Sequence, residues 1–206
     1  MTSWAGRRRM GRRPGPGLTR QQVVEAAIAV VEAEGADALG VSRVARALGI
    51  KPPSLYNHVG KGDALAQAVV IEGNRRLLVH LEDAVRGVVD ARDQLRALGL
   101  AVRDFARDHA GLYGVMSRVP PPNDDPAFRP VLRRTLDLFG RPLARLGLAE
   151  AEHIHAIRAM RASLRGFLVL EEQGQFALDV DSEASFRWML EALVDGVERG
   201  GGRPGR

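Results

Sequence analysis

Between Val41 and Tyr56 the chain carries a pattern that few folds accommodate. Val41, Val44, Ala45, Leu48, Ile50 and Leu55 keep helical spacing on both sides of Gly49, and Pro52 and Pro53 stand where a second helix would begin. Proline is tolerated in the first turn of a helix, where its missing N–H loses no partner, and glycine takes the positive φ that stops the helix before it. Two short helices must therefore meet at a tight corner, with the small Ala45 where they cross. An ordinary helical hairpin satisfies the same pattern, so the corner by itself fixes geometry and leaves function open. Upstream, Thr19 and Gln22 form a capping box ahead of Val23, Ala26, Ala27, Val30 and Val31, and Gly35 ends that helix. Ser42 is expected to cap the next one, which runs to Leu48.

Beyond Gly62 the helical pattern lengthens. Leu65, Val69, Leu77, Leu81 and Val85 predict one long helix, and Leu95, Leu98, Val102, Phe105 and Ala106 predict another that starts near Asp90. Pro120, Pro121, Pro122 and Pro126 break the chain into a loop. A helix through Val131, Leu136 and Phe139 to about Leu146 follows, with Pro130 in its first turn and Pro142 expected to kink it. Residues 149–173 predict a further helix, and Asp181 or Ser182 caps a last one. No strand alternation or fixed-period repeat competes, so the expected fold is all-α. Its expected parts are a flexible basic arm (1–17), a three-helix helix-turn-helix domain (18–64), a larger helical domain (65–199) and a frayed tail (200–206).

Cysteine is absent, which removes disulfides, thiolate metal sites and cysteine nucleophiles together. No run of eighteen apolar residues occurs, and the arginine-rich start lacks the apolar segment of a signal peptide, so a cytoplasmic protein without a membrane partner is expected. Charge is unevenly spread. Residues 1–62 hold ten Lys or Arg against four acids, a net +6, while the other residues hold 20 against 21, a net −1. A basic end favours a polyanion, because neutralising phosphates releases counterions. A solvated tail or leader would carry the same charge.

The stretch from Thr19 to Leu65, ending Ser54-Leu-Tyr-Asn-His-Val-Gly-Lys-Gly-Asp-Ala-Leu65, closely resembles the DNA-binding domain of the TetR family of bacterial transcriptional regulators. Leu55, Tyr56, His58, Val59, Asp63 and Leu65 carry the resemblance position by position. Phe105-Ala-Arg-Asp-His-Ala-Gly-Leu-Tyr-Gly-Val-Met116 resembles the subgroup with a WHG-type C-terminal domain, although this chain has Leu164-Arg165-Gly166 where that subgroup usually has Trp or Leu followed by His-Gly. A second departure is Gly62, which stands where the family commonly has a lysine; Lys61 comes one residue early.

By this resemblance, Tyr56 and His58 bond phosphate oxygens, which positions the reading helix without reading sequence. Thr19, Ser42 and Ser54 are further candidate phosphate contacts, though Thr19 and Ser42 would stand there as caps in any case. Lys51, Pro52, Pro53 and Asn57 lie at the start or on the exposed face of the reading helix. Lysine suits guanine O6 or N7, asparagine suits adenine, and proline offers apolar contact, as to a thymine methyl. Arg43 and Arg46 flank the first helix of the pair, and Lys61 is a candidate phosphate contact. The Arg7 to Arg13 arm suits a minor groove.

The resemblance also implies a homodimer built through a four-helix bundle of the last two helices, for which Ile157, Leu164, Leu168, Phe186, Leu190, Leu193 and Val197 are candidates; an intrachain core is the alternative. It implies a pocket among the middle helices for a small hydrophobic or amphipathic effector, with Phe105, His109, Tyr113, Met116, Leu136, Phe139 and Phe167 as candidate lining, and again core packing as the alternative. The expected function is a repressor released from a palindromic double-stranded DNA operator by that effector. No cofactor or catalytic motif is expected. Glu150 with His153 and Glu152 with His155 have di-iron spacing, but both pairs lie on one helix, whereas that chemistry draws them from different helices. A ligand-free architectural DNA protein is the second reading, and a helical-bundle metal enzyme a distant third.

Overall fold

Local capping chemistry decides where most of the helices begin. In the computed structural model, which describes residues 17–201, Thr19 Oγ1 accepts from the Gln22 N–H at 3.2 Å and the Gln22 side chain accepts from the Thr19 N–H at 2.8 Å. This reciprocal pair opens α1 (Arg20–Glu34), which ends at Gly35. A 3₁₀ turn (Ala36–Ala38) leads to α2 (Val41–Ala47), α3 (Pro52–Val59) and α4 (Ala64–Ala84). Asp90 accepts from the Asp93 N–H and starts α5 (Ala91–Asp108); α6 (Ala110–Arg118), α7 (Arg129–Arg145), α8 (Glu150–Glu172) and α9 (Ser182–Gly201) follow. Asp181 caps α9 by accepting from the Glu183 and Ala184 N–H groups at 3.0 and 3.2 Å. Among the described residues every regular element is helical.

Three expectations are corrected. Ser42 does not cap α2: Gly40, extended at φ −167°, holds that place and its carbonyl accepts from the Val44 N–H, leaving Ser42 exposed within the first turn. The helix expected from Asp90 continues after a break at His109, whose ψ of 51° separates α5 from α6. Gly200 and Gly201, assigned to the tail, belong to α9, and a Cβ on Gly201 would lie 2.3 Å from the Leu146 carbonyl oxygen, so the helix end is docked on the α7–α8 turn. The Arg7 to Arg13 arm lies outside the described residues.

Two main cores form. One joins Val23, Ala27, Val31, Val44, Leu55 and Val59 to Leu65 and Val69 of α4 and to Phe105, Leu112 and Val115, so the first three helices rest on α4 and α6. The other joins Leu95, Leu98 and Val102 of α5 to Leu143, Met160, Leu164, Leu168, Phe186, Leu190 and Val194. Phe128 and Val131 pack with Ile71 and Leu78 in a smaller cluster.

An ion network closes the second core. Arg103 is 1% exposed; its guanidinium donates to Glu171 at 2.6 Å and Glu183 at 2.8 Å and lies 4.4 Å from the centre of the Phe186 ring. Its Nε finds no partner, so the arginine is held by its two outer nitrogens and the ring face. Burial pushes the Glu171 carboxyl up, but hydrogen bonds from Arg103 and Ser182 and the charges of Arg103 and Arg107 outweigh it and hold the group below its ordinary 4.5. A carboxyl lowered in the folded state contributes stability above its unfolded pKa and loses it as pH falls through the folded value. The urea midpoint is therefore expected to drop on acidification below about pH 4.5, and Glu171→Gln to shrink that drop. An unchanged acid limb in the variant would contradict this.

Candidate nucleic-acid interface and ligand pocket

The corner between α2 and α3 is closed by a paired C-terminal motif. The Ile50 N–H donates to the Ala45 carbonyl at 2.9 Å and the Gly49 N–H to the Arg46 carbonyl at 3.1 Å, while Gly49 takes φ +67°. This six-to-one and five-to-two pairing satisfies the last carbonyls of α2 and turns the chain sharply. Lys51 then precedes Pro52 and Pro53, which occupy the first turn of α3.

One side of α3 is fixed and the other is free. Leu55 and Val59, four residues apart, are buried against Val44, Ala45 and α1. Lys51, Pro52, Pro53, Ser54, Tyr56 and Asn57 are exposed as a consequence, and His58 is half-buried. Tyr56 is 36% exposed although it follows the fully buried Leu55. Gly60 at φ +90° and Gly62 at φ +62° turn the chain into α4 and leave Lys61 exposed between them. Gly62 thus occupies a left-handed conformation that a side chain adopts with strain.

The flanking candidates differ in how committed they are. Arg46, Ser42 and Thr19 are exposed, and Thr19 is already engaged in the capping box. Arg43 donates to Glu34 at 2.8 Å, with both side chains about half exposed. An ion pair of that kind contributes little and yields readily to a phosphate.

A cavity of about 170 Å³ lies among α4, α5, α6, α7 and α8. Tyr113, Met116, Leu136 and Phe139 line it, as do Asn74, Leu81, Val102 and Ser117. Three candidates point elsewhere. Phe105 is packed in the N-terminal core between His80 and His109, His109 lies 3.6 Å from Glu32, and Phe167 meets Phe176 at a tilt and Phe186 edge-on. The sequence reading missed Thr135, Arg161 and Arg165, polar residues at helical positions that gave no apolar signal.

The expected dimer stripe is also corrected. Leu164, Leu168, Phe186, Leu190 and Val197 are buried in the protomer's own core, Ile157 and Leu164 line the cavity, and Leu193 is half-buried. Those five residues are covered by the chain itself and offer little to a partner, whereas Ile157 and Leu193 keep part of their surface open.

The cavity is mechanically close to α1. Helix α6, which carries Tyr113, Met116 and Ser117, crosses α1 at Gly111, where the backbones approach so closely that a Cβ would sit 2.0 Å from the Val31 carbonyl oxygen. The Gly111 N–H donates to Glu32 at 3.3 Å, and Arg118 at the other end of α6 pairs with Asp37.

A fixed helical corner presenting one polar helix, backed by a helical region with its own cavity, defines a helix-turn-helix protein with a sensing region. Residues 23–69 match the model of the bacterial regulatory proteins of the tetR family, and residues 95–193 match the tetracyclin repressor-like C-terminal domain. The chain is 33% identical over 183 residues to an HTH-type transcriptional regulator of Mycobacterium tuberculosis, covering 88% of this chain and 83% of that one. It is 29% identical over 198 residues to a class A tetracycline repressor protein of Escherichia coli, covering 89% and 83%. Apo ActR from Streptomyces coelicolor shares the fold with a TM-score of 0.73 at 21% identity, over 91% of this chain and all of that one (100%). A TetR variant from Acinetobacter baumannii in complex with minocycline gives 0.71 at 22% identity, over 89% and 98%. The protein belongs to the TetR family of DNA-binding transcriptional regulators. The C-terminal match does not single out the WHG-type subgroup. Among the described residues no helix is long and apolar enough to cross a membrane, and no group of three or more His, Asp or Glu is placed to hold a metal.

Proposed function

We propose that this protein is a homodimeric repressor that holds a palindromic operator through α3 and releases it when a small molecule enters the cavity. The observation that carries this is the division of α3 into a face locked by Leu55 and Val59 and a free face running from Lys51 to Asn57. A helix so anchored enters the major groove as a rigid body. Tyr56, His58, Ser54 and Lys61 are assigned to phosphates, with Thr19, Ser42, Arg43 and Arg46 as flanking backbone contacts; Lys51, Asn57, Pro52 and Pro53 are assigned to base edges. Residues 18–64 form the DNA-binding unit, and α4 is shared with the sensing helices behind it.

Pairing of two copies is assigned to the outer rows of α8 and α9. Ala159, Ala162 and Gly166 on α8, and Trp188, Ala192 and Gly196 on α9, are exposed at helical spacing, and a Cβ on either glycine would meet open space. Small residues let a second helix pair approach closely, and two reading heads about 34 Å apart match one turn of duplex. Release follows if the ligand-bound cavity favours a position of α6 that the Gly111 crossing transmits to α1, because a ligand shifts an equilibrium only by its preference for one state.

Selection of binding sites from random duplex DNA tests the function, with a palindrome as the expected result; recovery of no common sequence would overturn it. Tyr56→Phe and His58→Ala are expected to weaken binding alike on every duplex. Asn57→Ala is expected to lose about 1–3 kcal/mol of discrimination at a single base position. Competition titrations on operators altered one base pair at a time separate the two outcomes, and an Asn57→Ala variant with unaltered base preference would contradict the docking of α3.

A further inference from the structure

The cavity wall is mostly apolar, with Leu81, Val102 and Phe139 among its residues, but its α8 side is not. Arg161 and Arg165, one helical turn apart, both line it while remaining exposed, so their guanidinium groups stand at the mouth. None of the residues that line the cavity is an acid. Several other arginines of the helical region are matched by carboxylates on neighbouring helices. Arg92 pairs with Asp195 and Glu198, Arg96 with Asp93 and Glu191, and Arg103 and Arg107 with Glu171 and Glu183. Arg161 and Arg165 have no carboxylate partner among the described residues. Two like charges at this spacing repel each other weakly in solvent, and an anion placed between them turns that repulsion into a pair of charge-assisted contacts.

A third donor stands beside them. Burial raises the pKa of Tyr113 against the opposing charges of Arg165 and Arg161 and a hydrogen bond with Ser117, so the phenol remains protonated in neutral solution. Size narrows the rest of the ligand. A cavity of about 170 Å³ is close to the roughly 150 Å³ that accommodates one benzene ring in a dry apolar site.

We propose that the effector is a small apolar carboxylic acid, with one ring or an equivalent short chain in the cavity and its carboxylate between Arg161 and Arg165. The planar guanidinium fork matches a carboxylate edge-on, and two forks on one helix face hold it from both sides. This assignment rests on the reading of the cavity as the effector site.

Calorimetric titration of the full chain with 3-phenylpropionate, the isosteric uncharged 3-phenylpropanamide and the cationic 3-phenylpropylamine tests it. The carboxylate is expected to bind about tenfold or more tightly than the amide, and the amine more weakly than either. Arg161→Gln with Arg165→Gln is expected to erase the preference for the carboxylate over the amide while leaving thermal stability and ligand-free operator affinity unchanged. Equal affinities for carboxylate and amide, a carboxylate Kd weaker than about 1 mM, or a preference that survives the double substitution would each overturn the proposal. Operator titrations run in parallel tell the two readings apart. DNA release by the amide as readily as by the carboxylate overturns the anionic class and leaves the repressor standing; carboxylate capture by a chain that selects no operator does the reverse.

Discussion

Truncating Phe186 to alanine is expected to cost about 3–5 kcal/mol of protomer stability. The ring is 0% exposed, meets Phe167 edge-on at 5.2 Å between centres, and has the Arg103 guanidinium over its face. Removing it opens a void in the second core and strips the apolar and π contact from a buried cation, whose remaining partners, Glu171 and Glu183, cannot move inward to fill the space. Trp188, two residues on and 76% exposed, is the control: Trp188→Ala is expected to change protomer stability by less than about 0.5 kcal/mol while weakening self-association. Urea unfolding at several protein concentrations separates these effects. A Phe186→Ala loss below about 1 kcal/mol would contradict this packing, and one that vanishes on dilution would mean that the ring serves the dimer after all.

Gly111→Ala is the second large effect, expected at about 3 kcal/mol, the upper end of what overpacking costs. The added methyl would lie 2.0 Å from the Val31 carbonyl oxygen and 2.4 Å from its carbon. Both obstacles are helix backbone, so no rotamer change relieves the clash and α6 must lift from α1. The Glu32 hydrogen bond to the Gly111 N–H is lost with it. Gly99→Ala is a useful contrast, because its Cβ meets only the Leu190 side chain, at 2.5 Å, which can turn aside. Beyond stability, Gly111→Ala is expected to blunt the effect of a cavity ligand on operator affinity, since the joint between sensing and reading regions is loosened. Thermal unfolding and operator titration with and without ligand report the two consequences; wild-type stability would show that α1 and α6 have more freedom than their crossing suggests.

What could be read from the sequence was mostly local chemistry. Thr19 with Gln22, Gly35, Gly49 and the Pro52-Pro53 pair act through their own backbone, so their roles hold whatever surrounds them, and the corner that sets α3 is made of such residues. Ser42 misled because a good capping residue was displaced by the extended Gly40 two places earlier. The break at His109 left no trace, since apolar residues continue in phase from Phe105 through Leu112 across it. The stripe on α8 and α9 marked burial correctly and its cover wrongly: periodicity is the same whether the covering atoms belong to the same chain or to a second copy. Arg161 and Arg165 stayed invisible for the converse reason, as charged residues on a helix ordinarily face only solvent.

Equilibrium competition between the selected operator and a scrambled duplex of equal length and composition, at physiological salt, bears most directly on α3 as the reading helix. Two chains per operator and a preference of about a thousandfold or more are expected, falling in step at one base position for Asn57→Ala. Equal affinity for both duplexes would contradict the assignment.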